Sequence, residues 1–105
     1  MKDIGELMQQ MQQVQQRMQQ MQQELAEATV TGEAGGGLVK VVMTGKGEVR
    51  EVRIAEELMK PQEREIVEDL IVAALNQAKE RMEEMVAEKM REATGGLPLP
   101  PGFSL

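Results

Sequence analysis

An apolar residue recurs at every third or fourth position through the first 28 residues of the chain. The steps between neighbouring apolar residues alternate between three and four, which is the spacing of a coiled-coil seam. Glutamine, a good helix former, fills most of the positions between them. The repeat predicts one long helix that packs part of its seam against a second helix. The seam consists of Ile4, Leu7, Met11, Val14, Met18, Met21, Leu25 and Ala28.

After residue 28 the period of the apolar pattern shortens to two, which predicts strands. A β-branched strand is expected over residues 29–34, before three consecutive glycines. Residues 38–44 form the clearest strand, and a glycine-containing turn at residues 45–47 leads to a third strand over residues 49–54. Three strands with short links predict an antiparallel meander.

The middle strand is apolar on both of its faces. Val39, Val41 and Met43 point to one side, and Leu38 and Val42 point to the other. A sheet with one solvated face alternates apolar with polar residues, whereas this pattern favours burial on both sides. One layer of helix covers only one face, so we expect a second subunit on the other face and hence a homodimer.

A second long helix is predicted after the strands. Pro61 is tolerated in the first turn of a helix, and acidic residues follow it, where the helix dipole favours them. The helix is expected to reach about Thr94, before a pair of glycines. Residues 70–75 are apolar all round, which predicts that this segment is enclosed on several sides.

These elements predict a single α+β domain with the order α-β-β-β-α over residues 1–94 and a Gly/Pro-rich C-terminal tail over residues 95–105. The sheet is expected to be three-stranded and antiparallel, between long N-terminal and C-terminal helices. Phe103, in the tail, is expected to make an anchoring contact.

The composition excludes several classes of chemistry. The chain has no Cys and no His, which removes disulfides, thiolate zinc sites and imidazole catalysis. The glycines at 35–37 lack the Lys-Ser/Thr of a phosphate-binding P-loop, and the acidic clusters lack the spacing of a calcium loop. No stretch is apolar enough for a signal peptide or a membrane span. We therefore expect a cytoplasmic protein that is not an enzyme, without a cofactor, metal, membrane or small-molecule partner.

The chain carries a formal net charge of −6 and a pI near 4.7. Domains that bind polyanions usually carry a basic excess, because neutralising phosphates supplies much of their affinity. The charge is unevenly spread, since residues 29–54 balance to +1 whereas both flanking parts are acidic. Composition alone therefore does not predict a polyanion as the partner.

Four blocks of the sequence form an ordered series: residues 31–39 (TGEAGGGLV), 45–49 (GKGEV), 69–74 (DLIVAA) and 94–103 (TGGLPLPPGF). Together with the Met- and Gln-rich first helix, these blocks resemble the YbaB/EbfC nucleoid-associated family across essentially the whole chain. The resemblance implies a bacterial protein whose subunits dimerise through the sheet region, with the long helices projecting as the arms of a tweezer. It also implies binding of duplex DNA in the nucleoid with weak sequence preference, and an influence on chromosome organisation and gene expression.

If the resemblance holds, the DNA contacts are expected on the basic residues of the arms. The other interpretation is that each of them is the solvated partner of a nearby acid on the same helix. The expected DNA-binding residues are Lys2, Arg17, Lys79, Arg81, Lys89 and Arg91. The expected dimer interface consists of Leu38, Val39, Val41, Val42, Met43, Leu70 and Ile71.

A second function stays open from the residues themselves. Long heptad arms that are rich in Met and carried by a net-acidic chain suit a protein-interaction or holdase-like scaffold. The surface between the arms distinguishes the two functions, because a basic surface favours nucleic acid and an apolar surface favours protein clients.

Overall fold

The computed structural model describes residues 3–94, and in that range two long helices join a three-stranded sheet. The predicted order α-β-β-β-α is confirmed, with two short 3₁₀ turns before the last helix. The elements are α1 (Ile4–Glu27), β1 (Thr29–Ala34), β2 (Val39–Thr44), β3 (Val49–Ile54), the 3₁₀ turns Glu56–Leu58 and Pro61–Glu63, and α2 (Arg64–Thr94). The tail over residues 95–105, with Phe103, lies outside the described residues.

Local chemistry sets the ends of the helices. Asp3 has extended backbone geometry, and its side chain accepts a hydrogen bond from the backbone N–H of Gly5. Ala28 ends α1 in an extended conformation and leads directly into β1. Pro61 opens a 3₁₀ turn that runs straight into α2 at Arg64, so its fixed φ serves this turn rather than the first turn of the α-helix.

The sheet is an antiparallel meander with β2 in the centre. Strand β1 pairs with β2 in regular register, so that Gly32 lies opposite Val41. The β2–β3 ladder shifts register between Val42 and Met43. Because β2 is flanked on both sides, β1 and β3 are the two edges of the sheet.

Helix α2 covers one face of β1 and β2 and forms the main core with them. Val39 and Val41 are fully buried, and they pack in one cluster with Ala74 and Ala78. Met43 belongs to the same cluster and is 6% exposed. These three strand residues were expected in a dimer interface, but they form the core of the protomer because α2 already covers them.

Helix α1 packs only the second half of its seam. Met18, Met21 and Leu25 are buried, and they form a second cluster with Ala93 near the end of α2. The first half of the seam is exposed, because the described part of α2 ends at Thr94 and has no further turn to cover it. The exposed apolar residues of this half are Ile4, Leu7, Met8, Met11 and Val14.

The open face of the sheet, on the side away from α2, is largely polar. Val42 is half-buried there, and its direct partners across the ladders are Thr31 and Glu51. Lys40 lies between Glu33 and Arg53 in the same way. The expectation of an apolar second face was therefore wrong, because the strands on either side of β2 supply polar residues to that face.

The apolar segment over residues 70–75 is not enclosed within the protomer. Ala74 is buried, but Val72 is 58% exposed and Ala73 is also exposed. Leu70 and Ile71 are half-buried at the edge of the main core. One side of α2 therefore leaves apolar surface that residues 3–94 do not cover.

Candidate nucleic-acid interface

The two helices form an elongated arm that extends from the sheet. The molecule measures 72 × 21 × 18 Å, and its radius of gyration is 19.4 Å, against about 13 Å for a compact domain of this size. Helices α1 and α2 run antiparallel, since Leu25 lies near Met82 and Val86 while Met21 lies near Ala93. Gly45 fixes the base of the arm, because its N–H donates to the carbonyl oxygen of Leu25 at 2.8 Å.

Two of the predicted DNA-binding residues lie together where α1 passes the end of α2. Arg17 and Lys89 line one shallow hollow, whose other walls include Glu24 and Glu92. Lys89 Nζ is 3.3 Å from Glu24 Oε2, whereas the Arg17 side chain is exposed. The hollow therefore holds two cations and two acids, and one of its cations is already paired.

Of the other predicted DNA-binding residues within residues 3–94, some already bond to a neighbouring residue and one is exposed without an ion-pair partner. Arg81 donates a hydrogen bond to the backbone oxygen of Thr31, and Arg91 pairs with Glu88 one turn earlier on α2 at 3.3 Å. Lys79 is exposed, and within residues 3–94 it has no ion-pair partner closer than 4.0 Å. Lys2 lies outside the described residues.

The basic residues of α2 do not gather on one face of the helix. Lys79 and Arg81 are two positions apart, as are Lys89 and Arg91, and residues at that spacing point to different sides of a helix. Acidic residues are interleaved with them. The acids of this half of α2 are Glu80, Glu83, Glu84, Glu88 and Glu92. The exposed surface of α2 is therefore a mixed-charge surface and not a basic stripe.

The sheet carries further basic residues that were not among the predicted sites. Lys40 and Arg53 are direct cross-strand partners on the open face. Arg53 Nε lies 3.0 Å from Glu51 Oε1, and Arg50 donates from Nη2 to the carbonyl oxygen of Ala26 at 3.2 Å. The formal charge of +1 over residues 29–54 indicates this region from the sequence. That Lys40 lies opposite Arg53 could not be predicted, because it depends on the register between β2 and β3.

The remaining residues of the predicted dimer interface keep part of their surface free. Leu38, Val42, Leu70 and Ile71 are each half-buried in the single chain. Strand β3 adds exposed apolar surface that the prediction did not include, because Val49 is 46% and Val52 is 44% exposed.

Residues 3–94 offer neither a metal-binding cluster nor a membrane-spanning helix. In that part of the chain, no three His, Cys, Asp or Glu side chains are placed to hold a metal ion together. None of the helices described there is long and apolar enough to span a membrane.

The fold and the arm define an α-β-β-β-α protein in which a helical pair extends from a small sheet. The profile of the YbaB/EbfC DNA-binding family matches residues 1–97, and the chain belongs to this family. It is 51% identical over 105 residues to a nucleoid-associated protein of Rhodospirillum rubrum, covering all of this chain and 98% of the relative. A nucleoid-associated protein of Agrobacterium fabrum is 50% identical over 105 residues, with the same coverage of both chains.

A solved structure shares the fold. An uncharacterized protein from Helicobacter pylori superimposes with a TM-score of 0.76, and the match covers 90% of this chain and 100% of that chain. The two sequences are 22% identical, so the likeness supports the architecture alone.

Proposed function

We propose that the protein binds duplex DNA as a homodimer with weak sequence preference. It acts in the nucleoid of the bacterial cytoplasm, where it contributes to chromosome organisation and gene expression. The observation that carries this proposal is the match of residues 1–97 to a DNA-binding family. The names of the bacterial relatives, which are nucleoid-associated proteins, support the location.

The helical arms provide the DNA contacts in this proposal. Contacts to phosphate and sugar position a protein on a duplex without reading its bases, which accounts for weak sequence preference. Arg17 and Lys79 are the first residues to test, because both side chains are exposed and neither has an ion-pair partner closer than 4.0 Å in the described range. The full set of proposed contacts is Lys2, Arg17, Lys79, Arg81, Lys89 and Arg91.

The dimer in this proposal forms around β3 and the apolar surface beside it. Strand β3 is an edge of the sheet, and all its residues except Ile54 are exposed. An exposed edge strand presents unpaired backbone groups that favour pairing with another chain. Val49 and Val52 add apolar area to this edge. The half-buried residues of the proposed interface are Leu38, Val42, Leu70 and Ile71.

Fluorescence anisotropy tests the proposed DNA binding. Two labelled duplexes of about 30 base pairs, one AT-rich and one GC-rich, are titrated with the full chain at low salt. We expect saturable binding to both, with affinities that differ by less than about threefold, because backbone contacts do not report base identity. Absence of saturable binding to either duplex at low salt would contradict the proposal.

A second candidate function is a protein-interaction scaffold, and the exposed first half of the α1 seam favours it. Ile4, Leu7 and Met11 are each more than half exposed on one helical stripe. The test measures whether the protein suppresses aggregation of a thermally unfolding client, using a Met11→Gln, Val14→Gln variant as the control. Suppression that is lost in this variant, together with no DNA binding, would favour the scaffold over the DNA-binding protein.

A further inference from the structure

The acidic residues of this chain are absent from one long stretch of α1. From Leu7 to Gln23 there is no Asp or Glu, and Arg17 is the only charged residue. The same stretch contains ten glutamines, in a chain whose net charge is −6. Most of α1 therefore differs in charge from the exposed part of α2, where acids and bases alternate.

The helix arranges many of these glutamines on the side opposite the apolar seam. Spacings of three and four residues place them on one face. The second half of the seam packs on α2, so most of this face points away from α2. Gln20, at its border, also lines the hollow that α1 forms with Lys89 and Glu92 of α2. All members of the face are exposed. We call this surface the glutamine face, and it consists of Gln9, Gln12, Gln13, Gln16, Gln20 and Gln23.

The carboxamides of the glutamine face are free to bind a ligand. Among the described residues, Gln77 on α2 accepts a hydrogen bond from the N–H of Glu33 at 2.7 Å, whereas the side chains of the α1 glutamines make no hydrogen bond to another residue. Each free carboxamide has two N–H donors and one acceptor oxygen. A row of such groups can donate to successive phosphate oxygens along a strand.

Electrostatics also favour this face over the rest of the arm. A duplex is a dense line of negative charge, so its approach is opposed by carboxylates within about 8–10 Å at moderate salt. From Leu7 to Gln23 the helix carries no carboxylate, and Arg17 lies beside the glutamine face. The acids nearest to this stretch on α1 are Glu6 and Glu24, so Gln12, Gln13 and Gln16 are the members of the face that lie furthest from them along the helix. On α2 a duplex would meet Glu80, Glu84 and other acids among the basic residues.

We propose that the glutamine face of α1 is the surface that contacts duplex DNA, with Arg17 as its charged contact in each protomer. The carboxamides donate hydrogen bonds to phosphate oxygens, and most of the contacts are uncharged. This inference rests on the proposed DNA binding and homodimer, and it narrows the charged contacts from the six basic residues proposed above to Arg17.

A shallow salt dependence follows from uncharged contacts. The logarithm of the binding constant falls with the logarithm of salt concentration by about 0.9 for each phosphate that a cation neutralises. Arg17 in both protomers gives a slope of about −2, whereas the five described basic residues of each arm would give about −9. A measured slope near −9 would overturn the proposal.

Charge placed on the glutamine face tests its location. The variant Gln13→Glu, Gln16→Glu, Gln20→Glu puts three carboxylates per protomer on this face, and we expect affinity for a 30-base-pair duplex to fall by about tenfold or more. The control Gln62→Glu, Asn76→Glu, Ala87→Glu adds the same charge at exposed positions outside the face, and we expect a loss of less than about threefold. Equal losses in the two variants would show that net charge matters and location does not.

Removal of the carboxamides without added charge tests the hydrogen bonds. In Gln13→Ala, Gln16→Ala, Gln20→Ala the helix is retained, because Ala is a stronger helix former than Gln. We expect affinity to fall by about five- to tenfold with an unchanged salt slope, and Arg17→Ala to flatten the slope by about 2. Unchanged affinity in the triple alanine variant would overturn this inference while the DNA-binding proposal stands. No binding by the unmodified protein would instead defeat the DNA-binding proposal itself.

Discussion

Gly32 allows α2 to lie directly on the backbone of β1. A Cβ atom at Gly32 would lie 2.1 Å from the carbonyl oxygen of Ala74 and 2.5 Å from the backbone nitrogen of Ala78. Both obstacles are backbone atoms of α2, so they cannot move aside as a flexible side chain would. The three small residues therefore set the distance between helix and sheet.

Substitution of Gly32 tests this close approach. We expect Gly32→Ala to lower the free energy of unfolding by about 2–4 kcal/mol, because α2 must shift and the core beneath it loosens. Urea denaturation at fixed protein concentration measures the change. Gly5→Ala is the matched control, since its nearest neighbour would be Asp3 Oδ2 at 3.7 Å. It should leave stability unchanged or raise it by up to about 1 kcal/mol, and an equal loss in both variants would contradict the account.

The ion pair between Lys89 and Glu24 joins the two helices but contributes little to stability. Its atoms are 3.3 Å apart, and the side chains are 27% and 50% exposed. We expect Glu24→Gln to lower the free energy of unfolding by no more than about 0.5 kcal/mol, because solvent and salt screen the pair. Thermal unfolding in low and in 0.5 M salt measures this, and a loss above about 2 kcal/mol would contradict the assignment.

Some residue roles could be predicted from the sequence and others could not. The alternation of Val39, Val41 and Met43 predicted their shared face, because strand geometry alone determines it. Their place in the protomer core depends on Ala74 and Ala78, which are remote in sequence and meet the strands only through the fold. Gly32 has no local signal for the same reason.

At the scale of elements, the periodicity of the sequence predicted the helices and strands closely. The third strand was expected over residues 49–54 and has those bounds, and the second begins one residue later than expected. The seam of α1 was predicted to pack in part against a second helix, and its second half does so, but the sequence did not show which half is covered. A heptad pattern specifies which side of a helix is apolar and does not specify how long its partner is.

The two halves of α1 should differ in local stability. Residues 18–27 pack on α2 and on the sheet, whereas residues 4–14 extend beyond the described end of α2 without such packing. Isolated helical segments of this length are marginal in water, so we expect amides in residues 4–14 to exchange hydrogen faster than those in residues 18–27. Hydrogen exchange with mass spectrometry on the free protein measures this. Equal protection in both halves would show that another copy or segment covers the exposed seam.

At the scale of the whole molecule, the exposed edge strand β3 is the surface through which we propose that two chains pair. We expect Val52→Lys to shift the protein from twice its chain mass toward the 11.7 kDa of one chain, because a charge on an edge strand opposes pairing. Sedimentation equilibrium measures the mass. Ala87→Lys, at an exposed position on α2, should remain dimeric. A monomeric unmodified protein would contradict the proposed dimer, and a Val52→Lys dimer would place the interface elsewhere.

The fold also explains why a count of charged residues does not reveal the proposed DNA surface. Charge counts emphasise Lys and Arg, but Arg81, Lys89 and Arg91 are engaged by neighbours in the fold. The glutamine face does not register in a count of charges, because carboxamides are uncharged. Its distinguishing feature is the absence of acids from Leu7 to Gln23 in an acidic chain.

An NMR titration shows whether the glutamine carboxamides contact DNA, because it observes their signals individually. The side-chain NH₂ signals of ¹⁵N-labelled protein are followed as a 30-base-pair duplex is added. The account predicts progressive shifts for Gln13, Gln16 and Gln20, while Gln62 and Asn76 stay unchanged as internal controls. Saturable binding that shifts only signals from α2 or the sheet, and leaves the glutamine face unchanged, would contradict the account.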